Sequence, residues 1–388
     1  MSERHYAQVR QRSLMLAEPL SDEDCGAQSM ADASPVKWHL AHTTWFFETF
    51  ILERCEDAFV PFHPAFRVLF NSYYNGVGER HPRAKRGLLT RPALREVRAY
   101  RANVDARMVR LLAAHPADAQ LAALVTLGLQ HEQQHQELIL TDVLHLLAQS
   151  ELLQAYLDAP PPAGAPCTPG WSAFDGALAE IGHDGAGFCF DNELPRHRVH
   201  VAPFQLARGL VSNAEYLAFI DAGGYREPSL WLSEGWDRVC AERLAHPLYW
   251  RRADDGQWHE FTLHGECKLD PARAATHLSL FEADACARFM GARLPTEAEW
   301  EVAALTPDAG LDQLYGACWQ WTSSSYSPYP GYACASGALG EYNGKFMLNQ
   351  YVLRGSSSAT APGHARASYR NFFPAAARWQ FTGLRLAK

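Results

Sequence analysis

Apolar and aromatic residues recur at helical spacing near the start of the chain. Trp38, His42 and Trp45 repeat at intervals of four and three residues, which places them on one side of a helix. Ser34 and Pro35 precede this stripe, and a serine N-cap followed by proline is typical of a helix start. We therefore predict a helix that opens at Pro35 and turns an aromatic face, with His42 in it, toward a core.

Two further helical segments follow. Residues 94–112 form a charged, amphipathic pattern, and residues 121–153 form a long helical pattern without proline. Together with a helix near the N-terminus, these segments give about four helices, which is the content of a four-helix bundle.

A run rich in proline and glycine follows the helical part. The string PPPAGAPCTPG occupies residues 160–170 and is typical of a linker. We therefore predict a helical domain over residues 1–155, a linker over residues 156–175 and a second domain over residues 176–388.

The second domain has a different pattern. Glycine, tryptophan, tyrosine and asparagine become frequent, and short candidate strands such as residues 198–201 and 351–354 alternate with turns. Residues 213–222 and 278–290 are the helical segments predicted there. This mixture predicts an irregular α+β domain, and the chain as a whole is assigned to the α+β class.

Charge and hydropathy narrow the functional class. The chain of 388 residues has a formal net charge of -8, which argues against a nucleic-acid partner because such proteins usually carry a basic face. The start of the chain lacks an apolar signal-peptide core, and no apolar run is long enough to span a membrane. The nine cysteines form no CxxC pair and are expected to be free thiols. We therefore expect a cytoplasmic protein with no membrane partner.

The string HEQQH at residues 131–135 is the sharpest chemical signal. Residues four apart share a helix face, so His131 and His135 can reach one metal ion. A third ligand is expected from a facing helix, where His42 lies on the aromatic stripe and His39 does not. His145 is discounted because it follows His135 by ten residues and points elsewhere. Three neutral imidazoles suit Fe(II), Zn(II), Cu or Ni, so the ligand type does not name the metal.

The same string also fits the HExxH pattern of zinc metalloproteases, in which Glu132 would act as a general base. The pattern is short and matches often by chance. Nothing else in the sequence supports a secreted protease.

Two groups of motifs resemble one known family. The strings WHLAHTTWFFETF (residues 38–50) and HEQQHQELIL (residues 131–140) resemble the DinB-like bundle of the hercynine sulfoxide synthases, which form C–S bonds in ergothioneine-type biosynthesis. The strings RLPTEAEWE, WQWTSS, VLRGSSSAT, SYRNFFP and TGLRLA resemble their C-type-lectin-like domain, which is shared with formylglycine-generating and sulfatase-modifying enzymes. The resemblance covers almost the whole chain in the family's order.

The resemblance implies roles for specific residues. It implies Fe(II) as cofactor and O2 as co-substrate, with His42, His131 and His135 as ligands, and a hydrogen bond from Gln134 to the bound imidazole substrate. It also implies that Asn371, Phe372 and Phe373 hold the trimethylammonio end of hercynine, for which cation–π attraction offers a physical reason. Trp321, in the string WQWTSS, is assigned to the substrate pocket as well.

The segment FNSYYN (residues 70–75) resembles the tyrosine-bearing loop of family members that use free cysteine. This resemblance makes Tyr73 and Tyr74 the catalytic candidates, since a phenol near the metal can donate a proton or hydrogen atom while O2 is reduced. Arg86, in the basic run that follows, is a candidate for orienting the second substrate.

One departure from the family bears on the donor. Family members that make ergothioneine commonly read LRGGSCAT, whereas residues 353–360 read LRGSSSAT, with Ser358 in place of cysteine. This favours the sister branch of selenoneine synthases, which attach selenium from a selenosugar to C2 of the hercynine imidazole. The main alternative is a hercynine sulfoxide synthase that uses cysteine or γ-glutamylcysteine.

Three more distant alternatives stay open at this stage. The first is a DinB-like, zinc-dependent thiol transferase, which needs no O2. The second is a binding module with structural histidines. The third is a formylglycine-generating activity, which the loss of cysteine at Ser358 disfavours.

Overall fold

The computed structural model describes residues 3–334 and 338–388, and within them the chain divides into two compact units. Unit 1 comprises Met1–Asp158, Ser336–Tyr342 and Thr360–His364, as far as these are described. Unit 2 comprises Ala159–Ala335, Asn343–Ala359 and Ala365–Lys388, with the same restriction. Two short stretches from late in the sequence thus group with the N-terminal unit.

Unit 1 is built from helices around an aromatic core. Its helices are α1 (Glu3–Met15), α2 (Asp22–Gly26), α3 (Val36–Phe47), α4 (Glu53–Cys55), α5 (Phe66–Leu69), α6 (Leu94–Ala114) and α7 (Ala119–Leu147). A π-helical turn, Glu48–Leu52, continues α3 into α4, and 3-10 turns occupy Arg83–Leu88 and Ala338–Glu341. None of the helices in the described ranges combines the length and apolar composition needed to cross a bilayer.

Helices α3 and α7 approach each other closely at Gly128. A Cβ added there would lie 2.8 Å from Cε1 of Phe47, closer than real contacts allow. The absence of a side chain at this position therefore lets the two helices come together one turn before His131.

The start of α3 differs from the prediction. Pro35 is the N-cap of α3 and Ser34 lies outside the helix. The backbone N–H of Ser34 donates to Asp142 Oδ2 at 2.8 Å, and its hydroxyl accepts from Arg86 Nη1 at 2.9 Å. Both groups of Ser34 are engaged by other elements, so the serine does not cap the helix.

Unit 2 consists of short strands and four helices in its described part. The strands are β1 (Trp171–Phe174), β2 (Ala177–Ile181), β3 (His197–Val201), β4 (Phe204–Ala207), β5 (Trp250–Arg252), β6 (Trp258–Thr262), β7 (Gly265–Lys268), β8 (Trp319–Ser325), β9 (Tyr351–Gly355), β10 (Asn371–Phe373) and β11 (Thr382–Gly383). The helices are α8 (Asn213–Asp221), α9 (Ser233–Glu242), α10 (Leu280–Phe289) and α11 (Glu297–Leu305).

The strands form four small sheets. The largest has the order β10-β9-β8-β11, in which only the β11–β8 pair is parallel, and three antiparallel groups join β1 with β4, β2 with β3, and β5 with β6 and β7. Strand β1 lies within residues 156–175 and pairs with β4 from Trp171 opposite Ala207 to Phe174 opposite Phe204.

Capping boxes start three of the four helices described in unit 2. In α8, α10 and α11 the N-cap side chains of Ser212, Ser279 and Thr296 accept from the backbone three residues later, and a glutamate there accepts in return. This S/T-x-x-E arrangement satisfies N–H groups that would otherwise lack partners.

Candidate metal centre

Three histidines of unit 1 converge in its core. His42 comes from α3, and His131 and His135 come from successive turns of α7. One ring nitrogen of each lies within 4.8 Å of the others, and the Nε2 atoms of His42 and His131 are 3.2 Å apart. We call this group the three-histidine cluster. Its members are the three histidines that the sequence predicted would come together.

Aromatic rings hold two of the three imidazoles in place. His42 is stacked between Trp38 and Trp45, with ring centroids 4.6 and 5.5 Å away and the planes within 18° of parallel. His131 lies 5.0 Å from the ring of Phe46. The aromatic stripe of α3 therefore fixes the orientation of the candidate ligands.

The three histidines differ in the hydrogen bonds that their Nδ1 atoms make. His42 Nδ1 donates to the carbonyl of Phe70 at 2.6 Å, and His135 Nδ1 is 2.8 Å from Nδ1 of His39. His131 Nδ1 has no hydrogen-bond partner among the described residues. His39 is thus buried beside the cluster although it lies off the aromatic stripe, and His145 instead contacts Ser29.

Burial keeps the cluster neutral. Desolvation lowers the pKa of His131 to about 3, and it lowers the pKa values of His42 and His135 well below their usual range, with the neighbouring histidines acting in the same direction. Neutral imidazoles with converging lone pairs are the form that binds a transition metal. The residues present therefore fit a divalent metal ion.

Glu132 does not face the cluster as a free base. It is fully buried and accepts hydrogen bonds from Arg10 Nη1 at 2.8 Å, from Ser13 Oγ at 2.5 Å and from Arg101 Nη2. Burial alone would raise the pKa of Glu132, but Arg10 and Arg101 outweigh it and hold that pKa at about 2. All its partners are structural, so the HExxH match does not describe a protease site here.

Tyr342 is a residue of the site that sequence reasoning missed. Its hydroxyl donates to Gln134 Oε1, and its ring centroid is 5.7 Å from that of His131. Tyr342 directly follows the 3-10 turn Ala338–Glu341 and lies 208 residues after Gln134 in the sequence. No periodic pattern marks this stretch, so the sequence offered no signal for it.

The two predicted catalytic tyrosines occupy different environments. Tyr74 is fully buried, packs against Trp45 and Phe50, and its pKa is raised well above the usual value, chiefly by burial. Tyr73 is half-buried, with its ring 6.2 Å from that of Tyr342. Of the two, Tyr73 lies beside the phenol that contacts the cluster.

A carboxylate fixes the loop that carries these tyrosines. Glu341 accepts the backbone N–H groups of Asn75 at 3.0 Å and Gly76 at 2.6 Å. The tyrosine loop and the turn that carries Tyr342 are therefore bound to each other.

Arg86 is a buried cation that contacts Trp38, the ring on which His42 also stacks. Its guanidinium lies 3.3 Å above the ring of Trp38 and donates to the hydroxyls of Ser34 and Ser72, while its Nε has no partner in the described ranges. Burial, and next the charge of Arg83, lower the pKa of Arg86. The charge of Asp142 acts in the opposite direction, and no carboxylate of the described residues forms a salt bridge with Arg86.

The remaining predicted residues belong to unit 2. Asn371, Phe372 and Phe373 form β10, and the alternation of a strand puts Asn371 and Phe373 on one face and Phe372 on the other. Phe372 stacks on Tyr326 with centroids 4.1 Å apart. Trp321 is fully buried and its Nε1 donates to the carbonyl of Leu278 at 2.8 Å, which is the environment of a core residue. Their assignment to substrate binding stays a prediction.

Comparison with known proteins identifies both parts of the chain. Residues 5–139 match the DinB superfamily, and residues 168–309 and 306–388 match the sulfatase-modifying factor enzyme 1-like domain. Together with the helices and strands described above, these matches confirm the predicted α+β class, with a DinB-like helical part followed by a sulfatase-modifying-type domain.

Curated relatives match over the full length. A hercynine oxygenase of Mycolicibacterium thermoresistibile is 32% identical over 99% of this chain and 94% of its own length. A hercynine oxygenase of Mycobacterium tuberculosis is 32% identical over 99% of this chain and 97% of its own. A formylglycine-generating enzyme of Thermomonospora curvata is 33% identical, but over only 34% of this chain and 46% of its own. Both of these full-length matches are to proteins named hercynine oxygenase.

Proposed function

We propose, from the premise that this chain belongs to the hercynine oxygenase family, that it is an O2-dependent non-heme iron enzyme acting on hercynine. The proposed reaction attaches selenium, or in the second candidate sulfur, to C2 of the hercynine imidazole and oxidises the chalcogen. The single observation that carries the proposal is the three-histidine cluster, which is buried, neutral and made of nitrogen ligands only.

Iron is proposed because three imidazoles suit it and because the relatives are named as oxygenases. When bound, the metal would supply O2 activation and a binding position for the sulfur or selenium of the donor. The protein orients hercynine, the donor and O2, which lowers the entropic cost of bringing these three reactants together.

Gln134 and Tyr342 are the groups proposed to meet the substrate imidazole beside the cluster. Gln134 lies on α7 between the two ligands of that helix, and its side-chain oxygen already accepts a hydrogen bond from Tyr342. The amide can hydrogen-bond an imidazole nitrogen, and the phenol of Tyr342 or Tyr73 can hold and donate a proton during O2 reduction. Tyr74 is too enclosed by Trp45 and Phe50 to be preferred for this role.

Unit 2 is proposed to recognise the betaine end of hercynine. Asn371 and Phe373 share one face of β10, and a quaternary ammonium is attracted by an aromatic ring and by an amide oxygen. In this proposal residues 1–155 carry the metal, residues 176–388 contribute the substrate pocket, and Phe372 and Trp321 shape it by packing.

The donor is the open part of the proposal. Ser358, which replaces the cysteine usual in ergothioneine-forming members, favours a selenosugar and is the reason for placing it first. Arg86 favours the second candidate, since a buried guanidinium with an unpartnered Nε among the described residues suits the carboxylate of cysteine or γ-glutamylcysteine. The proposed compartment is the cytoplasm, in keeping with nine cysteines that are all free thiols.

A donor competition tests the proposal. The protein is incubated with Fe(II), O2 and hercynine together with cysteine, γ-glutamylcysteine, 1-thioglucose or 1-selenoglucose, and the products are identified by mass spectrometry. We expect a C2-selenium adduct from the selenosugar that requires both Fe(II) and O2. A sulfur adduct from a thiol alone would establish the second candidate. Turnover with Zn(II) in the absence of O2 would instead establish a DinB-like thiol transferase, and no adduct with any donor would refute the proposal.

A further inference from the structure

A chain of three side chains extends outward from the three-histidine cluster. His135 Nδ1 is 2.8 Å from His39 Nδ1, and His39 Nε2 is 3.1 Å from Asp142 Oδ2. All three residues are buried, and Asp142 Oδ2 also accepts the backbone N–H of Ser34 at 2.8 Å. Asp142 lies on the same helix as His135, two turns further on, so α7 carries both ends of the chain.

With His39 in its neutral form, the hydrogen bonds from His135 through His39 to Asp142 run in one direction. A carboxylate has only acceptors, so the proton shared with Asp142 belongs to Nε2 of His39. A neutral imidazole has one donor and one acceptor, which makes His39 Nδ1 an acceptor. The contact to His135 then requires His135 to carry its proton on Nδ1, and the lone pair of its Nε2 is left free.

We propose that His39 and Asp142 are positioning residues that fix His135 in the tautomer whose Nε2 faces the cluster. Metal-binding histidines are commonly oriented by a carboxylate or carbonyl on their other nitrogen, and here a second imidazole is inserted between ligand and carboxylate. His42 is oriented in the same way by the Phe70 carbonyl. His131 has no such partner among the described residues, so His42 and His135 are the members of the cluster that hydrogen bonds orient.

This inference rests on the proposed metal site but not on the proposed reaction. It assigns a function to His39, which lies outside the three ligands, and to Asp142, which acts on them only through His39. Its test therefore needs neither hercynine nor O2.

Four variants test the hydrogen bonds that join His135, His39 and Asp142. His39→Leu removes the acceptor for His135, and His39→Asn replaces it, because the amide oxygen of asparagine lies near the position of Nδ1. Asp142→Asn keeps the shape and removes the charge. His145→Asn is the matched control, since His145 is a histidine of the same helix that contacts Ser29 and is not part of the chain.

Two measurements are made on each variant. The first is the tautomer of His135 in the metal-free, histidine-15N-labelled protein, read by long-range 1H–15N correlation. The second is the affinity for Co(II) with its visible ligand-field spectrum, measured against a competing chelator. A residue that only supports the fold would leave both the tautomer and the spectrum of the folded protein unchanged.

We expect the wild type and His145→Asn to show the Nδ1-protonated form of His135. His39→Leu should give a mixture of tautomers and about 10- to 100-fold weaker Co(II) binding, Asp142→Asn should show a smaller loss, and His39→Asn should recover most of the affinity. If His39→Leu does not fold, the tautomer and Co(II) affinity of Asp142→Asn carry the test. An Nε2-protonated His135 in the wild type, or an affinity and spectrum unchanged in Asp142→Asn and in folded His39→Leu, would overturn the inference.

Discussion

The substitution Glu132→Gln tests what the central residue of the HExxH string does. Glu132 is fully buried between Arg10 and Arg101 and also accepts from Ser13. Glutamine keeps the size of the side chain, but it loses the charge and directs an NH2 group at partners that are themselves donors. The hydrogen bonds from α1 and α6 to α7, which carries His131 and His135, would therefore weaken together.

The loss of stability can be calculated from the pKa of Glu132 and from the cost of breaking a buried ion pair. The guanidinium groups hold the pKa of Glu132 at about 2, against a usual 4.5, and at about 1.4 kcal/mol for each pKa unit this corresponds to about 3 kcal/mol. Removing one partner of a buried ion pair costs about 3–5 kcal/mol in other proteins. We therefore expect the free energy of unfolding to fall by about 3 kcal/mol.

Urea denaturation of the metal-free protein at pH 7, followed by circular dichroism at 222 nm, measures this change, since the long helices lie in unit 1. Glu53→Gln is the matched control. Glu53 pairs with Arg67 at the surface, where both side chains are at least a third exposed, and its loss should cost less than about 1 kcal/mol. A Glu132→Gln variant as stable as this control would refute the structural role and make Glu132 a candidate general base again.

Three further predictions concern the reaction and the cluster. Tyr342→Phe should lower adduct formation about 100-fold in the mass-spectrometric donor assay, and Tyr73→Phe should lower it by a smaller factor. A larger loss in Tyr74→Phe would contradict the proposed roles of Tyr342 and Tyr73. Arg86→Gln should raise the KM for a carboxylate-bearing donor about tenfold or more and leave that for 1-selenoglucose unchanged; equal effects on both would remove Arg86 from donor recognition. The metal-free protein should lose stability as the pH falls below about 6.5, because the histidines of the three-histidine cluster take up protons in the unfolded chain but stay neutral when buried. The free energy of unfolding, measured by heat or urea, should fall by up to about 2 kcal/mol per histidine at pH 5. A free energy of unfolding that is the same at pH 7 and pH 5 would show that these histidines are not held neutral.

Local spacing was sufficient to predict which three histidines converge. His131 and His135 lie four residues apart on α7, and His42 lies on an aromatic stripe, so short-range periodicity determines which side chains face inward. The same argument predicted the long helices of unit 1, with ends that differ by a few residues. The α+β class followed from the change of pattern after the proline-rich run.

Contacts that join distant parts of the chain could not be predicted in this way. Tyr342 reaches Gln134, and Glu341 reaches the loop at Asn75, from an irregular stretch with no period to read. Glu132 likewise pairs with Arg10, which lies 122 residues earlier in the chain, so the string HEQQH alone could not distinguish a base from a structural anchor.

The N-cap assigned to Ser34 was wrong for a related reason. Ser-Pro is a local signal, but the backbone N–H of Ser34 donates to Asp142, which lies 108 residues further along the chain. A tertiary contact outweighed the local preference, as is common for polar residues near a site.

The proposed function requires the three-histidine cluster to hold one redox-active metal ion. Equilibrium binding of Fe(II) to the metal-free protein under anaerobic conditions tests it most directly, with wild type compared to His42→Ala and to the control His145→Asn. We predict one Fe(II) per chain in the wild type and the control, and a loss of binding in His42→Ala with its helix content unchanged. Undiminished Fe(II) binding by folded His42→Ala would contradict the claim.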